Sequence, residues 1–308
     1  MIVTKGLTKY YGNLAALVDL NLEISTGEIF GFIGPNGAGK TTTMRILSTL
    51  LEPTRGRAFV DGLDVTKKGK QVRSRVGYMP DFMGVYDDLK VFEYLEFFAA
   101  AFNIPRHKRK SIVDGVLELT DLQSKQASTV DSLSRGMQQR LSLARVLIHD
   151  PKALILDEPA SGLDPRARIE IRQLLQELQR MGKTIMISSH ILSELEEMCD
   201  HIGIIEQGKL VFNGTMAEIH KQLGIGAKVR VRVAGEPAAA LDLLNGLPEV
   251  REAKEVGDYI LVTFEETSNN DGLIARTLVQ GGLDVIALQP EQVKLDQAFL
   301  QLTKGIVH

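Results

Sequence analysis

A glycine-rich run, IFGFIGPNGAGKTT at positions 29–42, holds the residue types that grip a polyphosphate. Gly34, Gly39, Lys40 and Thr41 stand at the G-x-x-x-x-G-K-T spacing of a phosphate-binding loop. A polyphosphate needs several donors at close range, and side chains are too bulky to supply them all. Gly34, Gly37 and Gly39 let the backbone curl so that successive N–H groups converge. A helix starting near Lys40 adds its positive end at the same point. Lys40 brings a full charge to the β- and γ-phosphates, and the Thr41 hydroxyl is of the type that ligates Mg²⁺. Further on, Asp157 and Glu158 follow the apolar run ALIL, and His190 follows TIMISS. Carboxylates and an imidazole beside a triphosphate can hold a metal and order a water. Each has a plainer reading: a turn with a surface lysine, loop-solubilising acids, a hydrogen-bonded structural histidine. Their joint occurrence with a phosphate loop favours chemistry.

The flanking patterns say how these residues are held. Ile29, Phe30, Phe32 and Ile33 read as a buried strand, and the run from Thr42 through Leu50 reads as a helix stopped by Pro53. Residues 153–156 and 184–189 read as fully buried parallel strands, which deliver Asp157, Glu158 and His190 to one sheet edge. Alternation over 18–24 gives a half-solvated antiparallel strand, with Leu20, Leu22 and Ile24 inward. Ahead of it, Tyr10 and Tyr11 either stack on a base or pack a strand end. Another strand, 76–79, ends at Pro80 and Asp81. From about 82 to 132 the strand pattern stops, giving a helical insertion that opens with Phe82, Met83, Val85 and Tyr86 exposed. Val91, Tyr94, Leu95, Phe98 and Phe102 share a helical face, and 108–122 is helical too. Ser134 caps the next helix, while Asp164 and Pro165 open another that Gly182 ends.

A second domain follows the linker Leu223, Gly224, Ile225 and Gly226. Strand, helix, two strands, helix and a strand at 283–288 give the β-α-β-β-α-β order of a ferredoxin-like α+β unit. A last helix carries Leu295, Ala298, Phe299 and Leu302. No catalytic constellation falls in this half, which reads as a packing, dimerising or regulatory module.

Bulk properties exclude some classes. The 308 residues are 44% hydrophobic and 24% charged, a composition for one large domain with a smaller one. A net charge of −3 gives no support to a nucleic-acid partner held by bulk electrostatics. Cys199 is the one cysteine, so no internal disulfide forms, and its apolar helical setting reads as a buried, inert thiol in a reducing compartment. No apolar run is long enough to span a bilayer, and the opening MIVTKGLTKYYG does not read as a signal peptide. Work at a membrane would need another chain to cross it.

Together these residues resemble the ATP-binding cassette (ABC) family. GPNGAGKT, then LSRGM at 133–137, LILDEP at 154–159, SGLD at 161–164 and His190 fall in that family's order and spacing, over roughly residues 1–220. The resemblance is strongest to single-cassette ATPase subunits of prokaryotic export-type transporters that carry a small C-terminal extension. It implies an α/β P-loop NTPase domain at 1–222, with an antiparallel β-subdomain and the helical insertion, and an accessory domain at 227–308. It implies that Tyr11 stacks on adenine, and that Gly34, Pro35, Asn36, Gly37, Ala38, Gly39, Lys40, Thr41 and Thr42 wrap the phosphates of ATP. Thr41 would hold Mg²⁺, with Asp157 acting through water; Glu158 would polarise the attacking water and His190 contact the γ-phosphate. Ser134 and Gly136 would reach the nucleotide of a second copy, and Asp164 would bridge the copies.

Two positions depart from the family's commonest form. Asp81 stands where glutamine is frequent; a carboxylate there can still ligate Mg²⁺ but is shorter as a γ-phosphate sensor. Arg135 and Met137 replace glycine and glutamine, and solvent is the preferred place for Arg135. The expectation is a Mg-dependent ATPase subunit on the cytoplasmic face of the membrane. It would form a homodimer and drive a separate transmembrane permease in export, the exposed aromatic patch passing on the motion. The alternatives are a soluble cassette acting on ribosomes or nucleic acid, and a C-terminal ligand sensor to which the ATPase responds. The single cassette, the lack of heptads and the slight acidity argue against the first.

Overall fold

The computed structural model describes all residues except 82, 83, 85–87, 197, 223–227, 266–270 and 291–308, and the side chains of 193, 220–222, 271 and 290. The expected patch Phe82, Met83, Val85 and Tyr86, the linker Leu223, Gly224, Ile225 and Gly226, and the last helix with Leu295, Ala298, Phe299 and Leu302 lie outside the described residues. The chain divides into two compact units, the first built on Met1–Thr215 and the second beginning at Met216.

In the first unit, β1 (Ile2–Tyr11), β2 (Leu14–Ile24), β4 (Arg55–Val60) and β5 (Leu63–Asp64) form an antiparallel sheet in the order β2-β1-β4-β5. The alternation in β2 sends Leu20, Leu22 and Ile24 inward, as expected. A second sheet takes β3 (Ile29–Ile33), β6 (Val76–Met79), β7 (Ala153–Leu156), β8 (Thr184–Ser189), β9 (His201–Glu206) and β10 (Lys209–Thr215) in the order β10-β9-β3-β8-β7-β6. Strands β9, β3, β8, β7 and β6 are parallel, so their C-terminal ends share one edge. Strand β10 returns from β9 through a two-residue turn at Gln207 and Gly208, both with positive φ. Strands β3, β7 and β8 are buried at every position, which is why none of them alternates between apolar and charged residues.

Helices α1 (Lys40–Leu47) and α2 (Gly69–Arg73) lie between strands of the two sheets in sequence. No strand occurs among the described residues between β6 and β7; α3 (Val91–Ala101), α4 (Arg106–Leu119) and α5 (Arg135–Leu147) fill that interval. Then come α6 (Pro165–Arg180), the short α7 (Leu192–Leu195) and α8 (Met216–Gln222). One core joins both sheets and α1, with Ile2, Leu20, Phe30, Phe32, Met44 and Ile155 all out of solvent. Burying each such side chain contributes about 1.5–3 kcal/mol, which fixes the phosphate loop between β3 and α1 on a rigid base. Helix α1 is shorter than its apolar run. Thr49 turns to φ 63, which no helix continues, so Leu50 is 61% exposed and Pro53 is not the stop.

The second unit opens with α8 and then runs β11 (Lys228–Val233), α9 (Ala238–Asn245), β12 (Val250–Val256), β13 (Tyr259–Phe264), α10 (Asp271–Gln280) and β14 (Val285–Pro290). Its sheet is antiparallel, in the order β12-β13-β11-β14. Strand β14 starts at Val285, not at 283, because the Leu283 N–H closes the end of α10 on the Leu278 carbonyl.

Candidate active site

The loop between β3 and α1 is built around close backbone approach. Gly37 and Gly39 have φ of 80° and 112°, which only glycine adopts without strain. Gly34 is glycine for a different reason: a Cβ there would stand 2.3 Å from the Ile205 carbonyl. Gly39 shares that constraint, with the Ala16 carbonyl 2.7 Å from where its Cβ would be. Helix α1 has no side-chain cap, which leaves its first-turn N–H groups for a ligand. The Lys40 ammonium is buried and donates to the carbonyls of Gly34 at 2.6 Å and Pro35 at 3.4 Å. Burial lowers its pKa from the ordinary lysine value, against the opposing charges of Glu158, Asp157 and Asp81. A buried cation below uncapped N–H groups fits a polyphosphate, whose charge would relieve that burial cost.

Strand β7 ends in the two acids. Asp157 is 1% exposed, yet both its oxygens are bonded: Thr41 Oγ1 donates to Oδ2 at 2.7 Å, and Ser188 Oγ donates to Oδ1 at 2.5 Å. A hydroxyl and a carboxylate held together are the hard oxygen donors that suit Mg²⁺. Glu158 sits at φ 51, a left-handed conformation uncommon for a residue with a Cβ. Its N–H donates to Ser188 Oγ at 2.9 Å, which holds the turn. Its carboxylate lies between two groups, 3.6 Å from Lys40 Nζ and 2.9 Å from His190 Nδ1. His190 leaves the sheet at the end of β8, as the parallel reading requires. Asp81, exposed just past β6, stands on the same edge and acts on Lys40 through its charge.

Ser134, Gly136 and Asp164 form a separate place. Ser134 is the exposed cap of α5, accepting from the Met137 N–H at 3.4 Å. Asp164 caps α6, accepting from the Ala167 N–H at 2.9 Å. A Cβ on Gly136 would stand 3.0 Å from that of Ala167, so the first turns of α5 and α6 touch. Arg135 is exposed, but its guanidinium covers Gly162 where a Cβ would stand, so solvent alone does not describe it. Tyr11 is 45% exposed at the end of β1, and Gly39 packs on Ala16 and Leu17 of the strand that returns beside it.

The model of the family described as ABC transporter matches residues 17–161. The bacitracin transport ATP-binding protein BcrA of Bacillus licheniformis is 36% identical over 99% of this chain and 98% of its own length. The chain belongs to the ABC transporter ATP-binding family. The Nod factor export ATP-binding protein I of Cupriavidus metallidurans is 35% identical over 97% of this chain and 96% of its own. Among solved structures, a dimeric bacterial ABC transporter cassette aligns with a TM-score of 0.64 at 26% identity, covering 70% of this chain and 99% of that one. This cassette is therefore a P-loop ABC ATPase that binds and hydrolyses ATP as a transporter subunit. The ribosome or nucleic-acid alternative finds no support among these relatives. Among the described residues, no helix is long and apolar enough to cross a membrane.

Sequence reasoning missed Ser188, which ties both acids of the ABC site to β8. Its signal was the pair of hydroxyls at the end of an otherwise apolar TIMISS. It also missed Arg168 and Glu194, an ion pair at 3.3 Å beyond the turn 161–164 and His190.

Proposed function

We propose that two copies of this cassette close over two molecules of Mg·ATP and that hydrolysis reopens them. Glu158 is the group assigned to the attacking water. Its carboxylate accepts a hydrogen bond from that water as the oxygen adds to the γ-phosphorus and the bond to the bridging oxygen breaks. His190 holds Glu158 in place and faces the γ-phosphate; a carboxylate only accepts, so the imidazole Nδ1 is the donor between them. Gly34, Pro35, Asn36, Gly37, Ala38, Gly39, Lys40, Thr41 and Thr42 take the phosphates, and Tyr11 the adenine. Mg²⁺, when bound to Thr41, Asp157 and Asp81, would compensate phosphate charge. Ser134 and Gly136 serve the nucleotide of the partner copy, and Asp164 bridges the copies; the exposure of Ser134 and Asp164 apart from the phosphate loop supports that division.

The partner across the membrane is a separate permease, with the cassette peripheral on the cytoplasmic face. Relatives named for bacitracin transport and Nod factor export favour an export role. A groove of about 380 Å³ beside Asp81, lined by Tyr78, Pro80, Phe98, Phe102, Arg145 and His149, is a surface to which a permease segment can dock. The domain limits we assign are 1–222 and 227–308. Strand order β12-β13-β11-β14 with β-α-β-β-α-β connectivity supports a ferredoxin-like accessory domain.

The observation that carries the mechanism is Glu158 pinned at positive φ between Lys40 and His190. Glu158→Gln should cut ATP turnover at least about a thousandfold while ATP still drives dimers that persist in gel filtration. Turnover near the parent rate would remove Glu158 from this role.

A further inference from the structure

The turn 161–164 and the segment bearing His190 come from different parts of the chain, yet one pair of side chains ties them together. Arg168, one turn into α6, donates from Nε to the Leu163 carbonyl at 3.0 Å. Its other arm stands 3.3 Å from Glu194 Oε1. Glu194, with 11% of its side chain exposed, takes the Ser189 hydroxyl on Oε2 at 3.0 Å. That hydroxyl accepts from the Ile191 N–H at 3.0 Å, which brackets His190. The Ser189 carbonyl accepts from the Gly34 N–H, the first of the phosphate loop, at 3.3 Å. So a continuous path runs from the loop beside Asp164, through Arg168 and Glu194, to both neighbours of His190.

The chemistry suits a strut. A guanidinium is planar and presents donors in a fixed fork, so one arm can hold a backbone carbonyl while another holds a carboxylate. A lysine ammonium has three donors but only one nitrogen, so it would have to stand within reach of both acceptors at the same point. The Glu194 carboxylate uses both oxygens and is largely withdrawn from water, where charge-assisted bonds keep more of their strength. No part of the pair reaches the phosphate loop, Asp157 or Glu158 through a described hydrogen bond, so its effect must pass through Ser189 and the turn.

We infer that Arg168 and Glu194 are positioning residues that carry the placement of the partner-facing turn to His190, and thereby set how well Glu158 is held when the copies close. The inference rests on the dimer proposed above. Movement of the turn against the other copy displaces Leu163, and the guanidinium transmits that displacement to the Ser189–Ile191 bracket. Without the strut, His190 keeps its bond to Glu158 but loses its link to the interface.

A double-mutant cycle tests this in the full chain. Arg168→Met keeps the aliphatic stem and removes the fork; Glu194→Gln keeps shape and removes charge. Each should lower kcat about tenfold with KM for ATP changed less than about twofold, since placement rather than ground-state binding is lost. The double variant should be no slower than either single one. Arg168→Lys should recover only part of the rate. Thermal midpoints within about two degrees of the parent certify folding; should a variant fall further, the conservative Arg168→Lys and Glu194→Asp pair carries the same cycle. Parent-like kcat in the single variants, or losses that multiply in the double variant, overturn the strut. Dimer assembly is read separately, with each variant placed in the Glu158→Gln background under saturating Mg·ATP. Dimers there with multiplying losses reject the strut alone. If Glu158→Gln by itself stays monomeric, the dimer reading falls and the strut with it.

Discussion

The two units differ in what they bury. Around the phosphate loop, Lys40, Thr43, Asp157, Ser188 and Ser189 are all at or below 6% exposure, and each has a hydrogen-bond partner or belongs to a bonded turn. The second unit buries Val229, Val231, Leu244, Val262, Ile274 and Leu278, and no buried polar side chain occurs among its described residues. A purely apolar core is the cheaper way to hold a fold, because an unpaired buried charge costs several kcal/mol. The first unit accepts that cost where a polyphosphate can repay it. The second, among its described residues, follows packing alone.

Removing the costly charge is the largest perturbation of that contrast. Lys40→Met should abolish turnover, by at least about a thousandfold, since Lys40 is the one cationic side chain within the loop 34–42. Yet the nucleotide-free midpoint should not fall, because a methionine stem fills the space without a desolvated ammonium. Calorimetry with and without Mg·ATP reads both effects. A drop of several degrees without nucleotide would mean that Lys40 is a structural cation, and the contrast between units would lose its basis.

The glycines sharpen the same point. At Gly39 an added methyl would meet the Ala16 carbonyl at 2.7 Å as well as a left-handed backbone; at Gly37 it would meet open space. Gly37→Ala therefore carries only the backbone cost, about 1–2 kcal/mol, or roughly tenfold in ATP affinity. Gly39→Ala adds a steric clash and should weaken binding about a hundredfold or more. Equal losses, measured by fluorescent-nucleotide titration, would show that conformation alone sets the loop.

Much of this was legible in the chain. ALIL before Asp157 and TIMISS before His190 are short runs without alternation or charge, and in the fold they are parallel strands delivering both groups to one edge. Ser134 and Asp164 were legible as caps because capping is a local property of three or four residues. What stayed hidden joins residues far apart. Ser188 reaches both acids across some thirty positions, and Arg168 on α6 meets Glu194 on α7, twenty-six positions further along the chain. Spacing carries no record of such pairs. The end of α1 was misread for the opposite reason: Leu50 continues the apolar period, but the left-handed turn at Thr49 leaves no mark in it. Gly34 was credited to conformation, and its real constraint is the Ile205 carbonyl, a residue of β9.

A core substitution in the second unit should move stability without moving chemistry. Ile274 in α10 is fully buried, and Ile274→Ala should cost about 2–5 kcal/mol within that unit. Steady-state ATP turnover should change less than about twofold. A parallel loss of both would show that the accessory unit shapes the site, contrary to the division drawn from burial.

The smallest effect expected lies at His149, a polar group of the first unit away from the phosphate loop. Its ring stacks on Phe102 at 4.0 Å, and its Nε2 lies 3.0 Å from the Val76 carbonyl, which fixes the proton there. Its Nδ1 is buried without a hydrogen-bond partner. Burial is the main cause holding its pKa below the ordinary value of 6.5, helped by Lys183 and opposed by the Val76 carbonyl and Asp150. The sign follows. As pH falls through 6.5, the unfolded chain takes up a proton that the folded ring refuses, so stability declines until the folded ring also titrates. His149→Phe keeps the stack but loses the bond to Val76, so its midpoint should lie lower at pH 7.5. Its further fall between pH 7 and 5.5 should then be shallower than the parent's, by about a degree or two. Parallel curves would show that the neutral ring carries no part of the acid sensitivity, and that even off the phosphate loop the first unit's polar burial is electrostatically silent.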